Sequence, residues 1–221
     1  MFRAPNLCLN TLPMLLTRSL FALFAVLTLS ISTAKAVDEA PKADRVEIVV
    51  SIAEQKLVLK KNGEIIRRYP VSTSRFGVGD AYGTYRTPIG HLQVSDKIGD
   101  GLPAGAVFKH RSPTGEVLAP NAPGRDPIVT RILWLNGLEA GNRNAYGRCV
   151  YIHGTPDEKR LGRPASYGCI RMRSTDVMEL YAATPVGTDV SIVAGRLPSD
   201  PGAGIMGLIA SAATSLRGAK L

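Results

Sequence analysis

The sequence predicts a mainly β domain with long loops and few short helices. Short apolar runs typical of strands recur along the chain, and stretches rich in Gly, Pro and Asn separate them. Only one segment carries the signals of a helix. The chain of 221 residues contains 22 Gly, 15 Pro and 45% hydrophobic residues, a globular composition that excludes a fibrous or disordered protein.

The predicted domain opens with strands. Val46, Ile48 and Val50 occupy alternate positions, the period of a half-buried strand. The next two apolar runs flank Asn62 and Gly63, which tolerate a positive φ, so we predict a hairpin there. Further strand candidates are residues 69–72, 91–94, 128–135, 149–153 and 190–193.

One helix is predicted shortly before Pro185. Ser174 or Thr175 is the expected N-cap, because a hydroxyl there can accept a hydrogen bond from a free backbone N–H of the first turn. Apolar residues then follow at helical spacing, namely Val177, Leu180 and Tyr181.

The N-terminal residues have the pattern of a secretory signal peptide. Residues 20–31 are almost entirely apolar, Arg18 precedes them, and Ala34-Lys35-Ala36 supplies small residues for cleavage. The apolar run is shorter than the roughly 20 residues of a membrane span. We therefore expect a leader over 1–36, a short lead-in segment over 37–44, one folded domain over 45–194 and a flexible C-terminal tail over 195–221. The expected location is outside the cytoplasm, in the periplasm or cell envelope.

Charge and composition limit the partners. The formal net charge is +9, and residues 37–221 keep +6, because the leader contributes Arg3, Arg18 and Lys35 and no acid. No basic stripe with interleaved aromatic residues occurs, so we expect no nucleic acid partner. There is no cysteine cluster and no His-x-x-x-His, so the sequence predicts neither a metal site nor a cofactor. It predicts nothing about the oligomeric state.

His153 and Cys169 are the candidates for chemistry. Residues 151–155 read Tyr-Ile-His-Gly-Thr, and residues 166–172 read Ser-Tyr-Gly-Cys-Ile-Arg-Met. An imidazole can take the proton of a thiol and hold a thiolate nucleophile. Gly168 allows a sharp bend, and the amides of Gly168 and Cys169 are candidates for an oxyanion hole. A histidine and a cysteine at this spacing also occur by chance, so the spacing alone does not show that they form a catalytic pair.

These motifs resemble the signature of the L,D-transpeptidase (YkuD-type) family of bacterial cell-wall enzymes. Residues 153–155 match its His-Gly-Thr, and residues 166–171 match its Ser-His-Gly-Cys followed by an apolar residue and Arg or Asn. Upstream segments are similar to the family's opening hairpin and Thr-Pro-x-Gly segment in the same order: 55–59, 62–63, 69–73 and 83–90. The resemblance implies a β-sandwich or barrel and makes residues 45–194 a catalytic domain.

The resemblance also implies an activity. Cys169 would be the nucleophile of a cysteine acyltransferase, His153 its base, and Gly154 the residue whose carbonyl orients that base. The substrates would be peptidoglycan stem peptides, and carbapenems would acylate the cysteine. An amine acceptor would make the enzyme a transpeptidase, whereas water would make it a carboxypeptidase.

One position departs from the family pattern. Tyr167 stands where the family usually has histidine, two residues before the predicted nucleophile. Tyrosine has a reference pKa of about 10 and cannot act as a base near neutral pH, although its hydroxyl can hydrogen-bond. We group Tyr167 with Gly168 and Gly154 as support for the site. The alternative is a peptidoglycan-binding protein of the same fold whose catalysis has been weakened or lost.

Two neighbouring side chains are predicted to bind substrate. Arg171 either forms a solvated pair with Arg173 or holds a stem-peptide carboxylate by bidentate pairing. Ser166 either binds substrate or braces the turn. Asp157 and Glu158 are expected on the loop surface.

The remaining alternative concerns the cysteines. Cys169 is either a free thiol or half of a disulfide with Cys149, which strand alternation over 149–153 would place on the side of His153. A bridge would abolish the proposed chemistry. Only Cys169 lies within the motif, so we favour the free thiol, and Cys8 falls in the predicted leader.

Overall fold

The computed structural model describes residues 44–197. The predicted leader and nearly all of the predicted tail lie outside the described residues. Within them, no helix is long and apolar enough to cross a membrane. The elements are β1 (Val46–Ser51), β2 (Lys56–Lys61), β3 (Glu64–Pro70), β4 (Gly90–Ile98), β5 (Ala106–Lys109), β6 (Ser112–Val117), β7 (Ile128–Gly137), β8 (Tyr151–Gly154), a 3-10 turn (Glu158–Arg160), β9 (Ile170–Met172), α1 (Ser174–Ala183) and β10 (Asp189–Val193).

The strands join in one sheet whose main path runs β3-β2-β1-β10-β4-β7-β5-β6. Strand β8 pairs with β7 and with β9, off this path. The β1–β10 and β8–β9 pairs are parallel, and the other pairs are antiparallel. The expectation of a mainly β domain with few helices is confirmed.

The predicted hairpin is present between β2 and β3. Its turn residues Asn62 and Gly63 have φ values of 55° and 88°, and Lys61 pairs with Glu64 across it. Asparagine and glycine adopt positive φ at low cost, so this turn is determined locally by the sequence.

Two apolar clusters form on opposite faces of the sheet. The larger one packs Val177, Leu180 and Tyr181 of α1 against side chains of the strands, including Ile152 and Ile170. The smaller one contains Phe108, Ile132 and Tyr151, with Trp134, Cys149 and Cys169 packed against it. Because alternate residues of a strand point to opposite faces, β8 contributes Ile152 to the first cluster and Tyr151 to the second.

Three strands are not predicted from the sequence, namely β5, β6 and β9. Every residue of β6 is exposed, and Pro113 and Gly115 interrupt it, so no apolar alternation marks it. The predicted strand over 149–153 begins only at Tyr151. Cys149 has a φ of 58° and lies in the preceding turn, because left-handed backbone cannot continue a strand.

Helix α1 confirms the predicted segment but not its predicted cap. Arg173 is the N-cap residue and makes no side-chain capping bond. The carboxylate of Glu158 accepts a hydrogen bond from the Ser174 amide at 3.1 Å, while the Ser174 hydroxyl contacts that of Thr130 at 2.7 Å. Glu158 is therefore not a loop-surface residue, since its negative charge stabilises the N-terminus of the helix.

Candidate active site

The register of β8 and β9 brings the two predicted catalytic residues together. Ile152 pairs with Ile170, and His153 pairs with Arg171. Cys169 directly precedes β9, so it lies two positions from Arg171 and on the same face as His153. His153 and Cys169 thus occupy diagonal positions on one face of adjacent strands.

A backbone hydrogen bond fixes the ring of His153. The side chain is buried, with 5% of its surface exposed, and Nδ1 lies 2.8 Å from the carbonyl oxygen of Gly154. A carbonyl only accepts hydrogen bonds, so Nδ1 carries the proton and Nε2 keeps its lone pair. Gly154 has little room for a side chain, because an added Cβ would lie 2.6 Å from the Val129 carbonyl oxygen.

Both predicted catalytic groups are neutral at rest. Burial lowers the pKa of His153 to about 4, against opposing effects of the Gly154 carbonyl and the charge of Asp126. Burial likewise raises the pKa of Cys169 to about 11, although a hydrogen bond with the Tyr151 backbone favours the thiolate. The expected preformed thiolate is therefore not the resting state, and proton transfer has to accompany attack on a substrate.

The lowered pKa of His153 predicts an acid-sensitive fold. Between about pH 7.5 and about pH 5 the free energy of unfolding should fall by about 2 kcal/mol through this residue. The unfolded chain has an ordinary histidine pKa of about 6.5 and therefore takes up the proton first. The stability that depends on neutral His153 is complete above the unfolded pKa of about 6.5. It is lost as the pH falls towards the folded pKa of about 4.

Urea unfolding across this pH range measures the effect, and His153→Gln is the matched control because glutamine does not titrate. The variant should lose less stability on acidification than the natural protein. Identical pH dependence of the two proteins would contradict the prediction.

The turn that carries Cys169 is held by side-chain hydroxyls. Ser166 Oγ donates to the Cys169 carbonyl at 2.6 Å and accepts from the Gly168 amide at 3.2 Å. Thr87 Oγ1 donates to the Gly168 carbonyl at 3.0 Å. Ser166 thus braces the turn, and a substrate-binding role for it stays a prediction. The Gly168 amide is already engaged, which favours the Cys169 amide as the donor for a substrate oxygen.

Gly168 is required by its backbone. Its φ is 120°, and an added Cβ would lie 3.3 Å from the carbonyl oxygen of Arg86. A residue with a side chain would be strained in this left-handed conformation. The sharp bend expected before Cys169 therefore depends on glycine.

Tyr167 points to the surface and belongs to an aromatic patch. It is 60% exposed, and its ring centroid lies 5.6 Å from that of Phe76 and 5.8 Å from that of Tyr85. The guanidinium of Arg75 lies 4.7 Å from the Tyr167 ring centroid. Tyr167 thus lies at the outer rim of the site, and its supporting role stays a prediction.

Arg171 is buried and already paired. Its side chain is 5% exposed and forms an ion pair with Asp126 and a longer one with Asp157 at 3.8 Å. It also donates to Ser72 Oγ at 3.2 Å. These contacts favour a structural role that ties the Asp126 loop to β9, and substrate binding by Arg171 stays a prediction. Asp157 is likewise part of this network and not only loop surface.

The two described cysteines, Cys149 and Cys169, are free thiols. The Cys169 thiol donates to the Cys149 carbonyl at 3.4 Å, so the contact uses the backbone of Cys149. Of the two cysteine states that the sequence allows, the structure thus has the one without a disulfide. The part of the chain that the structure describes gathers no group of His, Cys, Asp or Glu that could hold a metal ion.

An ion pair that the sequence analysis missed lies beside the nucleophile turn. Arg148 Nη1 is 2.9 Å from a carboxylate oxygen of Asp80, and the two side chains are 7% and 6% exposed. Arg148 Nη2 donates to the Arg86 carbonyl at 2.7 Å, and the Asn144 amide donates to Asp80 at 2.7 Å. No local motif marks this pair, because its partners are far apart in sequence.

Known proteins of one family are similar to this chain. The sequence model of the family described as L,D-transpeptidase catalytic domain (YkuD) matches residues 45–192. The probable L,D-transpeptidase YcfS of Escherichia coli (strain K12) is 30% identical over 157 residues, which cover 69% of this chain and 45% of that protein. The putative L,D-transpeptidase YkuD of Bacillus subtilis (strain 168) is 28% identical over 145 residues, covering 66% and 64%. The chain thus spans about half to two thirds of these relatives.

Two solved structures are also similar. An L,D-transpeptidase from Mycobacterium smegmatis is 19% identical, with 68% of this chain and 59% of that chain covered and a TM-score of 0.45. L,D-transpeptidase 3 from Mycobacterium tuberculosis, in complex with a faropenem-derived adduct, is 20% identical, with 67% and 60% covered and a TM-score of 0.44. Because the family model matches well over half of the chain, the chain belongs to the L,D-transpeptidase (YkuD) catalytic domain family.

Proposed function

We propose that this protein is an exported peptidoglycan L,D-transpeptidase with Cys169 as nucleophile and His153 as general base. The observation that carries the proposal is the 2.8 Å contact between Nδ1 of His153 and the carbonyl oxygen of Gly154. The Gly154 carbonyl accepts a hydrogen bond from Nδ1–H, which leaves Nε2 as the basic nitrogen of a ring on the same face of the sheet as Cys169. A nucleophile, a base and a group that orients the base are the minimum for acyl transfer through a cysteine.

The first half of the reaction forms a thioester. As the Cys169 sulfur attacks the amide carbonyl that joins the third residue of the stem peptide to its fourth, Nε2 of His153 takes the thiol proton. The Cys169 amide donates to the developing oxyanion. The C–N bond then breaks, His153 gives the proton to the leaving nitrogen, and D-alanine departs.

The second half regenerates the enzyme. His153 takes a proton from an acceptor amine, which attacks the thioester carbonyl, and the C–S bond breaks. The sulfur recovers its proton from His153, so the resting neutral pair is restored. The product is a crosslink between two third-position residues, an attached protein or an exchanged D-amino acid, depending on the amine.

Local charges support a transient thiolate in this mechanism. The positive charges of Arg148 and Arg171 both act to lower the pKa of Cys169, against the larger effect of burial. They stabilise negative charge on the sulfur at the moment that it develops, while the neutral resting state avoids a buried thiolate.

Mass spectrometry of muropeptides tests the function. We expect the purified, reduced protein to release D-alanine from disaccharide tetrapeptide and to form a crosslinked dimer, and a carbapenem to add its mass to the protein. Conversion to the tripeptide alone would identify water as acceptor and hence a carboxypeptidase. Neither D-alanine release nor an adduct would overturn the proposal and favour a binding protein.

A further inference from the structure

The turn between β5 and β6 places a cation against Cys149, the residue that contacts the predicted nucleophile. Arg111 lies at this turn, and its Nη1 is 3.3 Å from the Tyr151 hydroxyl and 3.6 Å from Cys149 Sγ. The carbonyl of Cys149 contacts Cys169 Sγ at 3.4 Å. A single residue thus separates the guanidinium from the reacting sulfur. We propose that Arg111 binds a carboxylate of the acyl-donor peptide, an inference that rests on the proposed function.

Stacked aromatic rings hold the guanidinium of Arg111 in place. Its central carbon lies 4.6 Å from the centroid of the Trp134 ring. Trp134 in turn stacks on Tyr146, with ring centroids 4.1 Å apart and planes 4° from parallel, and its Nε1 donates to the Tyr146 carbonyl at 3.0 Å. An arginine that is ordered before binding loses less conformational entropy when it pairs with a ligand.

The backbone of the turn is strained. His110 and Arg111 have φ values of 51° and 68°, between the paired residues Lys109 and Ser112. Asparagine and glycine normally occupy such left-handed turn positions, because larger residues adopt them at a cost in energy. Backbone strain of this kind concentrates at binding and catalytic sites. The strain therefore supports a functional reason for an arginine here.

No acidic side chain in the described part of the chain pairs with Arg111. The residue is exposed, and it forms no salt bridge within residues 44–197. Arg148 and Arg171, the other arginines close to the sulfur, are buried in ion pairs. A guanidinium presents parallel N–H donors that match a carboxylate, and the proposed substrate carries several carboxylates. Arg111 therefore meets the requirements for carboxylate binding, and substrate binding by Arg171 stays a prediction.

Calorimetric binding to the full chain carrying Cys169→Ala tests this inference without turnover. The ligands are the stem tetrapeptide with free carboxylates, the same peptide with every carboxylate amidated, and two peptides amidated only at the C-terminus or only on the third-residue side chain. Arg111→Gln and Arg111→Lys are added to the Cys169→Ala chain. Lys109→Gln is the matched control, since it removes one exposed charge from the same hairpin.

Arg111→Gln should weaken binding of the free-acid peptide about tenfold and leave the fully amidated peptide unchanged. Arg111→Lys should lose less, because it keeps the charge without the bidentate geometry. The singly amidated peptide that loses affinity for the Cys169→Ala parent identifies the carboxylate. Lys109→Gln should bind like the parent.

Three results would overturn the inference: no binding by the parent, equal losses for free-acid and amidated peptides in Arg111→Gln, or the same loss in Lys109→Gln. The proposed function fails separately. If the natural protein releases no D-alanine while binding still depends on Arg111, only the catalytic proposal is lost. If D-alanine is released and peptide binding does not depend on Arg111, only the proposed role of Arg111 is contradicted.

Discussion

Substituting Cys169 with alanine should abolish carbapenem acylation and lower D-alanine release by more than about a thousandfold. The sulfur forms the covalent bond in both reactions, and the other described thiol, Cys149, lies outside the motif in the turn before β8. The remaining oxyanion donor and binding groups cannot replace a nucleophile. Intact-protein mass spectrometry measures the adduct, and an assay for free D-alanine measures the turnover.

Cys149→Ser is the control for this experiment. The contact of Cys149 with the Cys169 thiol uses the backbone carbonyl of Cys149, which the substitution retains. The variant should therefore still form an adduct of the same mass. An adduct that persists in Cys169→Ala, or that disappears in Cys149→Ser, would assign the nucleophile to Cys149 instead.

Substituting Arg148 with glutamine should destabilise the fold by roughly 3–5 kcal/mol. The change leaves the carboxylate of Asp80 buried without its cation, since the Asp80 side chain is only 6% exposed. An unpaired buried charge is far more expensive than the pair itself contributes. Urea unfolding at neutral pH gives the free energy of unfolding for the variant and the natural protein.

Two further variants separate burial from simple loss of charge. Arg67→Gln breaks an ion pair with Glu179 whose side chains are 59% and 47% exposed, so it should cost much less stability than Arg148→Gln. The double variant Asp80→Asn with Arg148→Gln should recover part of the stability, because no buried charge remains. Equal losses for Arg148→Gln and Arg67→Gln would contradict the argument.

The Arg148–Asp80 pair also positions a loop next to the turn that carries Cys169. Arg148 also donates to the Gly79 carbonyl at 3.2 Å and to the Arg86 carbonyl at 2.7 Å. It thereby holds the loop whose Arg86 carbonyl lies against Gly168. The pair links the position of this loop to the turn that carries Cys169.

Local signals account for the elements that could be predicted from the sequence. The turn at Asn62 and Gly63 needs no partner from elsewhere in the chain, and α1 is evident from its apolar spacing. Strand β6 could not be found this way, since its residues are all exposed and only pairing with β5 defines it. The helix cap was misassigned because Glu158, sixteen residues before Ser174, competes with the local hydroxyls.

Motif residues and apolar alternation are local properties of the chain, so they suffice to predict the family, the mainly β class and the two residues proposed for catalysis. The protonation states of these two residues and the pairing of the arginines follow only from the folded structure. Burial makes His153 and Cys169 neutral at rest, and ion pairing occupies Arg171, whereas the β5–β6 turn brings Arg111 to the site. The protonation of a catalytic group depends on its desolvation, and the ability of an arginine to bind a ligand depends on whether it is already paired. Both depend on residues distant in sequence, which the motif does not contain.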